Sequence, residues 1–545
     1  MKVGLYNQIV SAGLTRRGVL KGAAATGGLA AFGGLTFGTA AMAQDDVRAA
    51  ILKIPGVGAG SPTDADWQKV GEMCLGPTKA NVTEGEFAGV ELTFFGINNN
   101  GLHNILFRGL LKGWEAYTGA KITWIDLAQG DYNPRLQQSI ATGTVDFDIL
   151  AMGAPLEGDT AGKGLLDEMP DWVKTQIDME DYVGYLKAPV GTWGGKTYRI
   201  SIDGDCHTFA YRKDYFGDGS ISGMADAPTT WAQVAAVDAA VKGKKDPITG
   251  GDAFGFLDPY KISWGGFGFY FLGDRVTPYA KHPDDPAWLF DVDTMKPRVN
   301  NPAWVQGIQD MMDNLPMSPP DQINTDPNAT AFSQFLAGTG SMVCWWGDVG
   351  SNARTSDTSV VGDVIGFSIN PGADKVYNSK TAAWETPATP NFAPNMAYLG
   401  WGVYVTNRVS ADEKKRKAAW SAAAHLGGKD ISLWMAAYPS GFQPYRASHF
   451  NYDEWAAAGY DKAFVEDYLG SNADSYNHPN AAIEPRIPGI FQYYSVAEDE
   501  LSKGFAGQYK SAQETADAIA AAWEKITDQI GRDSQIKLYK ASLGL

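Results

Sequence analysis

Glu91-Leu92-Thr93-Phe94-Phe95 opens the part of the chain whose reading decides the fold. The run is apolar and β-branched and is followed by the polar stretch Gly96 to His103, a pattern that predicts a short buried strand and then a loop. Leu106, Phe107, Leu110, Leu111, Trp114 and Tyr117 recur at three- and four-residue steps up to Gly119, which predicts a helix with a glycine stop. Lys121 to Leu127 predicts a second strand, Leu136 to Ala141 a helical segment broken at Gly143, and Phe147-Asp148-Ile149-Leu150 a third strand. A β-α-β-α-β alternation implies an α/β fold, a mostly parallel sheet flanked by helices. In such sheets ligands bind beyond the carboxyl ends of the strands. That places Asn98, Asn99 and Asn100 after the first strand, Gln129 and Asp131 after the second, and Gly153 after the third.

Toward the carboxyl end, Ser511-Ala512-Gln513-Glu514 fits a capping box, and Ala516, Ile519, Trp523, Ile526 and Ile530 follow at helical spacing. Between these ends aromatics sit in glycine-rich stretches, Trp264-Gly265-Gly266-Phe267-Gly268 and Trp345-Trp346-Gly347-Asp348. Toward the amino end, residues 44–88 mix Gly, Pro, Asp and Thr without clear periodicity and read as a surface extension. Before them, Thr15-Arg16-Arg17-Gly18-Val19-Leu20-Lys21 resembles a twin-arginine export signal. An apolar stretch from Gly22 to about Ala40 and the small-residue site Ala41-Met42-Ala43 complete a signal peptide over residues 1–43, cleaved before Gln44. The other reading, an uncleaved anchor, has few Leu or Ile residues to support it.

Cleavage leaves about 500 residues, more than one ordinary core holds and enough for two lobes. The chain carries 62 acidic against 45 basic residues, a formal net charge of −17, and four of the bases lie in the signal. An acidic surface repels phosphate backbones and anionic lipid headgroups, which disfavours nucleic acid and membrane surfaces as partners. The three cysteines, Cys74, Cys206 and Cys344, lack two-residue spacing; one disulfide with one free thiol fits them, and the pair is not specified. Six histidines without His-Glu-x-x-His, no dinucleotide fingerprint and no haem or iron-sulfur spacing call for no metal and no cofactor.

The order of these landmarks resembles the family 1 extracellular solute-binding proteins, the sugar-binding components of ABC importers, from about Val90 to Gly531. The pieces are the strand-helix start, Ala141-Thr142-Gly143-Thr144-Val145-Asp146-Phe147-Asp148, Gly164-Leu165-Leu166-Asp167-Glu168 and Gly195-Lys196-Thr197-Tyr198. They continue through Ala210-Tyr211-Arg212-Lys213-Asp214-Tyr215-Phe216, Ala227-Pro228-Thr229-Thr230-Trp231 and Phe335-Leu336-Ala337-Gly338-Thr339-Gly340-Ser341-Met342. Gly441-Phe442-Gln443-Pro444-Tyr445-Arg446 and the final helix close the series. The resemblance implies a two-lobed, type II-like periplasmic-binding-protein architecture that closes on its ligand. It places one lobe at 89–203 and 403–455 and the other at 205–402 and 456–545. It also implies a monomeric periplasmic protein that hands a small-molecule solute to ABC importer permease subunits. The extension at 44–88 and a long middle depart from the usual family layout.

A sugar or polyol presents hydroxyls over apolar C–H faces, so its site needs Asn, Asp or Arg at the edges and Trp or Tyr beneath. Asn98 to Asn100 have that chemistry, although three asparagines after a strand also make a turn. In Asp203-Gly204-Asp205-Cys206-His207, where the family's chain first crosses between lobes, Asp203 and Asp205 are expected at ligand hydroxyls and Gly204 at a bend. Trp346 and Asp348 stand where family members place an aromatic platform, and Trp401 lies between two glycines near the next crossing. Trp264 is a further platform or a core residue, and Arg446 a ligand-oxygen partner or a structural ion pair. A secreted carbohydrate-active enzyme is the alternative, because paired acids among aromatics also describe a glycosidase cleft.

Overall fold

A computed structural model describes residues 44–54, 62–99, 102–187, 189–438 and 441–545. The signal peptide expected at 1–43 and Asn100 lie outside the described residues. Residues 44–88 are more than the expected surface extension. Helices α1 (Gln44–Ile51) and α2 (Asp64–Met73) bury Ile51, Leu52, Trp67 and Val70, and Phe87 beyond them is wholly enclosed. Thr63 and Asp66 form a reciprocal cap that starts α2, with the Thr63 N–H donating to Asp66 Oδ2 at 2.8 Å. Arg48 binds Asp430 at 3.1 Å and Glu454 at 2.9 Å, so α1 is tied to residues four hundred positions away.

Strand β1 runs Glu91–Asn99, past the expected end at Phe95, and turns back through β2 (Leu102–His103). Every described residue of the stretch predicted as loop is thus strand. Gly96 continues the strand because a β-carbon there would lie 2.3 Å from Asn104 Oδ1, at the start of α3 (Asn104–Thr118). Then come β3 (Lys121–Leu127), α4 (Gln129–Thr142), β4 (Ile149–Gly153) and β5 (Ile200–Ser201). β1 pairs in parallel with β3 and with β4, as the alternation implied.

The chain passes at 202–206 into a second sheet of β6 (His207–Arg212), β7 (Phe254–Phe256), β8 (Gly340–Trp346) and β9 (Ile365–Ser368), in the order β7-β8-β6-β9. Helices α5 (Phe269–Ala280) and α6 (Asp348–Thr355) belong to this half, as does the hairpin β10 (Val376–Asn378) with β11 (Ala383–Glu385). β12 (Trp401–Val405) returns to the first sheet and lies antiparallel between β4 and β5. Both sheets are therefore mixed, and in the second only β7 and β8 are parallel. Helices α7 (Glu413–Leu426) and α8 (Lys429–Ala437) cover the first half. α9 (Lys462–Tyr476) packs on the second sheet and α10 (Ile490–Phe505) and α11 (Ala512–Ile530) follow. Ser511 Oγ caps α11 at the Glu514 N–H, as expected, while the Glu514 carboxylate accepts the N–H of Lys510 and so leaves the expected capping box half formed.

Seven tryptophans, 114, 231, 304, 420, 434, 455 and 523, are wholly enclosed, and each indole N–H finds an acceptor. Most of the aromatic content thus serves the core. Cys74, Cys206 and Cys344 are buried free thiols, so the disulfide considered from the sequence does not form. No helix of the described residues is long and apolar enough to cross a membrane.

Helix α2 seats on α3 through Gly71, whose added β-carbon would lie 2.0 Å from the Leu110 carbonyl oxygen. Gly71→Ala is therefore expected to destabilise the protein by about 1–3 kcal/mol, the range for overpacking, read as a lower urea midpoint. An unchanged midpoint would contradict this seating.

Candidate functional site

Three passes of chain meet where the two sheets join. Asp203 Oδ1 accepts the Gly204 N–H at 2.8 Å and the Gln443 N–H at 2.7 Å. Gln443 Nε2 donates to Asp205 Oδ1 at 2.6 Å, and its Oε1 accepts the Gly347 N–H at 2.9 Å. Gly400, on the second pass, backs onto the Asp203 carbonyl, from which a β-carbon would stand 2.3 Å away. Gly204 keeps an ordinary φ, so it supplies no left-handed bend. Its glycine is needed for close approach instead: a β-carbon would lie 2.4 Å from the Pro444 carbonyl.

Asp348 begins α6 next to this junction, and its carboxyl is pushed up to about 8 by burial and then by the charge of Asp203. Burial raises Asp203 and Asp205 as well, and the charge of Asp203 adds to the rise at Asp205. Asp203 Oδ2, Asp205 Oδ2 and Asp348 Oδ1 are buried and have no hydrogen-bond partner in the chain. His207, the first residue of β6, pairs its Nδ1 with Asp274 Oδ2 at 2.7 Å. Opposite a carboxylate Nδ1 is the donor, and the other ring nitrogen, Nε2, is buried without a partner.

An aromatic wall runs from one half to the other. Trp401 lies 4.5 Å from the His103 ring, 6.0 Å from Tyr132 and 4.9 Å from Tyr398. Tyr398 meets Phe267 at 4.9 Å and Tyr270 at 6.3 Å, and Tyr270 meets Trp346 at 6.0 Å. Trp346 stands edge-on to His207 at 4.4 Å and reaches Trp264 at 6.3 Å. Glu498 shapes the loop that carries Trp264, because it accepts the backbone N–H groups of Trp264, Gly266, Gly268 and Phe269. From the first half, Asn133 Nδ2 on α4 donates to the Gly265 carbonyl of that loop at 3.1 Å.

The structure thus brings together Gly153, Trp264, Trp346 and Trp401 in the wall, and Asp203, Asp205 and Asp348 at the junction beside it. The remaining expectations separate from them. Asn98 is exposed at the end of β1, Asn99 pairs its backbone with Leu102, and Asp131 is exposed on the first turn of α4. Arg446 is fully buried and spends its donors on Ser432 Oγ at 3.1 Å, the Asp178 carbonyl at 3.1 Å and the Gly427 carbonyl at 2.7 Å. It lies over the rings of Tyr182 and Tyr445 and 3.8 Å from Asp181 Oδ2, the structural ion pair given above as its other reading. Tyr398, Phe267, Tyr270 and His207 Nε2 were missed by sequence reasoning. No pattern marks them; the only hint is the glycine at 400. Among the described residues no group of three His, Cys, Asp or Glu is placed to hold a metal ion.

The profile of the bacterial extracellular solute-binding proteins matches residues 110–459. No curated protein matches the sequence. Solved structures do match in fold. An ABC transporter solute-binding protein of Agrobacterium radiobacter K84, in complex with ribitol, aligns with a TM-score of 0.63 at 19% identity, over 81% of this chain and 99% of its own. One of Agrobacterium vitis S4, with bound D-mannitol, gives 0.62 at 19% identity with the same coverage. A third, of Thermotoga lettingae TMO, bound with alpha-D-tagatose, gives 0.58 at 17%, over 81% of this chain and all of its own. The fold is accordingly the two-lobed one of periplasmic binding proteins.

A buried carboxyl with a raised pKa keeps a proton that the unfolded chain releases above about pH 4. For Asp348 and for Glu484, also pushed up to about 8 by burial, the stabilising contribution is complete below that pH and is lost as pH rises through about 8. The melting temperature is expected to fall between pH 5 and pH 8.5, and Asp348→Asn to flatten the fall. Equal slopes in the two proteins would contradict the assignment.

Proposed function

We propose that this chain, which belongs to the bacterial extracellular solute-binding proteins, captures a polyol or a small carbohydrate between its lobes and releases it unchanged to an ABC import permease. One observation carries the reading. Asp203 Oδ2, Asp205 Oδ2, Asp348 Oδ1 and His207 Nε2 are buried at the junction without a partner in the chain, and carboxyls held upward by burial both donate and accept, so the ligand that satisfies them must bring several groups that do the same. A polyol brings one on every carbon, and its apolar C–H faces suit the rings of Trp346 and Trp401.

The ligands of structural neighbours, among them ribitol, D-mannitol, alpha-D-tagatose, maltose and maltotriose, are all polyols or carbohydrates. The action is binding without catalysis. Ligand favours the closed arrangement of the two lobes, and the permease reads that surface. The lobes are 89–203 with 403–455 and 205–402 with 456–545, the protein works as a monomer in the periplasm, and a twin-arginine signal takes it there. Asp203, Asp205, Asp348, Trp264, Trp346 and Trp401 border the ligand, and Gly153 stands behind the Tyr398 ring.

A thermal-shift screen of the mature protein against polyols, sugars, amino acids and amines tests this. One polyol or sugar is expected to raise the melting temperature by several degrees and to be recovered intact, because only the folded state binds it. Trp346→Ala and Asp205→Asn are each expected to weaken binding at least tenfold. Shifts with amines or amino acids alone would overturn the reading, and recovery of a cleaved or oxidised compound would replace it with an enzyme.

A further inference from the structure

Tyr398, Leu399 and Gly400 take positive φ one after another, 70°, 49° and 81°. Residues with a β-carbon adopt that region only where their surroundings enforce it, and such runs gather at working sites. The surroundings here are explicit. Upstream, the Asn395 carbonyl accepts the His207 N–H at 3.0 Å, and Asn395 Nδ2 binds the Tyr270 carbonyl at 2.9 Å and Asp274 Oδ1 at 3.0 Å. Downstream, the Gly400 carbonyl accepts the Ala154 N–H at 3.3 Å. Glu484, bound by the Tyr270 and Tyr494 hydroxyls at 2.9 Å each, also receives the Tyr398 backbone.

The ring held by this run stands at the carboxyl end of β4, the place where an α/β sheet receives its ligand. The Gly153 N–H there donates to the Tyr398 hydroxyl at 3.1 Å, and a β-carbon on Gly153 would lie 2.1 Å from the ring. Trp401, Phe267 and Phe491 pack against the ring, at 4.9, 4.9 and 5.8 Å. Gly153 is therefore glycine to admit Tyr398, and the backbone donor that a longer ligand would use is taken.

We propose that Tyr398 is a specificity-determining residue: a fixed floor that shortens the cleft so that it holds an acyclic polyol or one sugar ring and rejects a disaccharide. The inference rests on the polyol or carbohydrate reading above and names its size limit. Because the backbone is anchored on both sides, the ring is a wall rather than a side chain free to swing aside.

Isothermal titration of the full mature protein with ribitol, D-mannitol, D-tagatose, maltose and maltotriose tests it in wild type, Tyr398→Gly and Tyr398→Leu. Glycine suits the positive φ, and leucine fills more of the vacated volume. Wild type is expected to bind at least one of the three small compounds and to give no heat with maltose or maltotriose. At least one variant with a wild-type circular dichroism spectrum is expected to lose tenfold or more in affinity for the small ligand and to gain measurable maltose binding. Wild-type affinity for maltose within tenfold of the best small ligand overturns the size limit, whatever the variants do. So does a folded variant that keeps the wild-type range and affinities. If wild type binds none of the five, the polyol or carbohydrate reading itself fails, and this inference with it.

Discussion

The Asp203 carboxylate takes the N–H groups of Gly204 and Gln443 on one oxygen, and with that it fastens two passes of chain at the junction of the two sheets. The third pass reaches the same point through Gly400. A hinged clamp needs its crossings held in register while the bodies on either side stay free to rotate, and short backbone-to-carboxylate bonds at the axis provide this. Everything that faces the cleft is placed from here: His207 starts β6 just after the first pass, Tyr398 and Trp401 flank Gly400, and Asp348 follows the Gly347 that Gln443 holds.

Burial at this axis has an electrostatic consequence. Asp203, Asp205, Asp348 and Glu484 are all pushed upward by loss of water, and no arginine or lysine is among the groups that act most strongly on them. Hydroxyl groups, which both donate and accept, are neutral partners that such carboxyls can pair with. The halves also meet away from the axis. Arg486 bonds Glu157 at 2.7 Å, and Asn133 bonds the Trp264 loop, so polar contacts join the two halves there.

The legible part of the fold is the part whose local chemistry is redundant. β1, β3 and β4 stand out because buried parallel strands read as apolar runs, and the helices between them end at Gly119 and Gly143, both in the left-handed conformation that stops a helix. The α2 helix was overlooked although Thr63 and Asp66 spell its cap, because the glycines and prolines around it dominate the composition. Trp346, Trp401 and Asp348 were legible as candidates from the cost of leaving aromatics and acids on glycine-rich turns. For Arg446 the two readings stayed level in the sequence, because nothing in its turn reveals the acceptors that distant segments contribute, the Asp178 and Gly427 carbonyls and Ser432 Oγ, or the Asp181 carboxylate 3.8 Å away. Tyr398 was invisible for a related reason: its importance comes from a backbone conformation and a ring position set by β4, β12 and α10 together.

The most direct measurement is a crystal structure of the mature protein with the polyol or sugar that stabilises it most. The account predicts ligand density between the two lobes, against the rings of Trp346 and Trp401 and within hydrogen-bond distance of Asp205, Asp348 or His207 Nε2. Ligand bound to a single lobe away from these residues would contradict it.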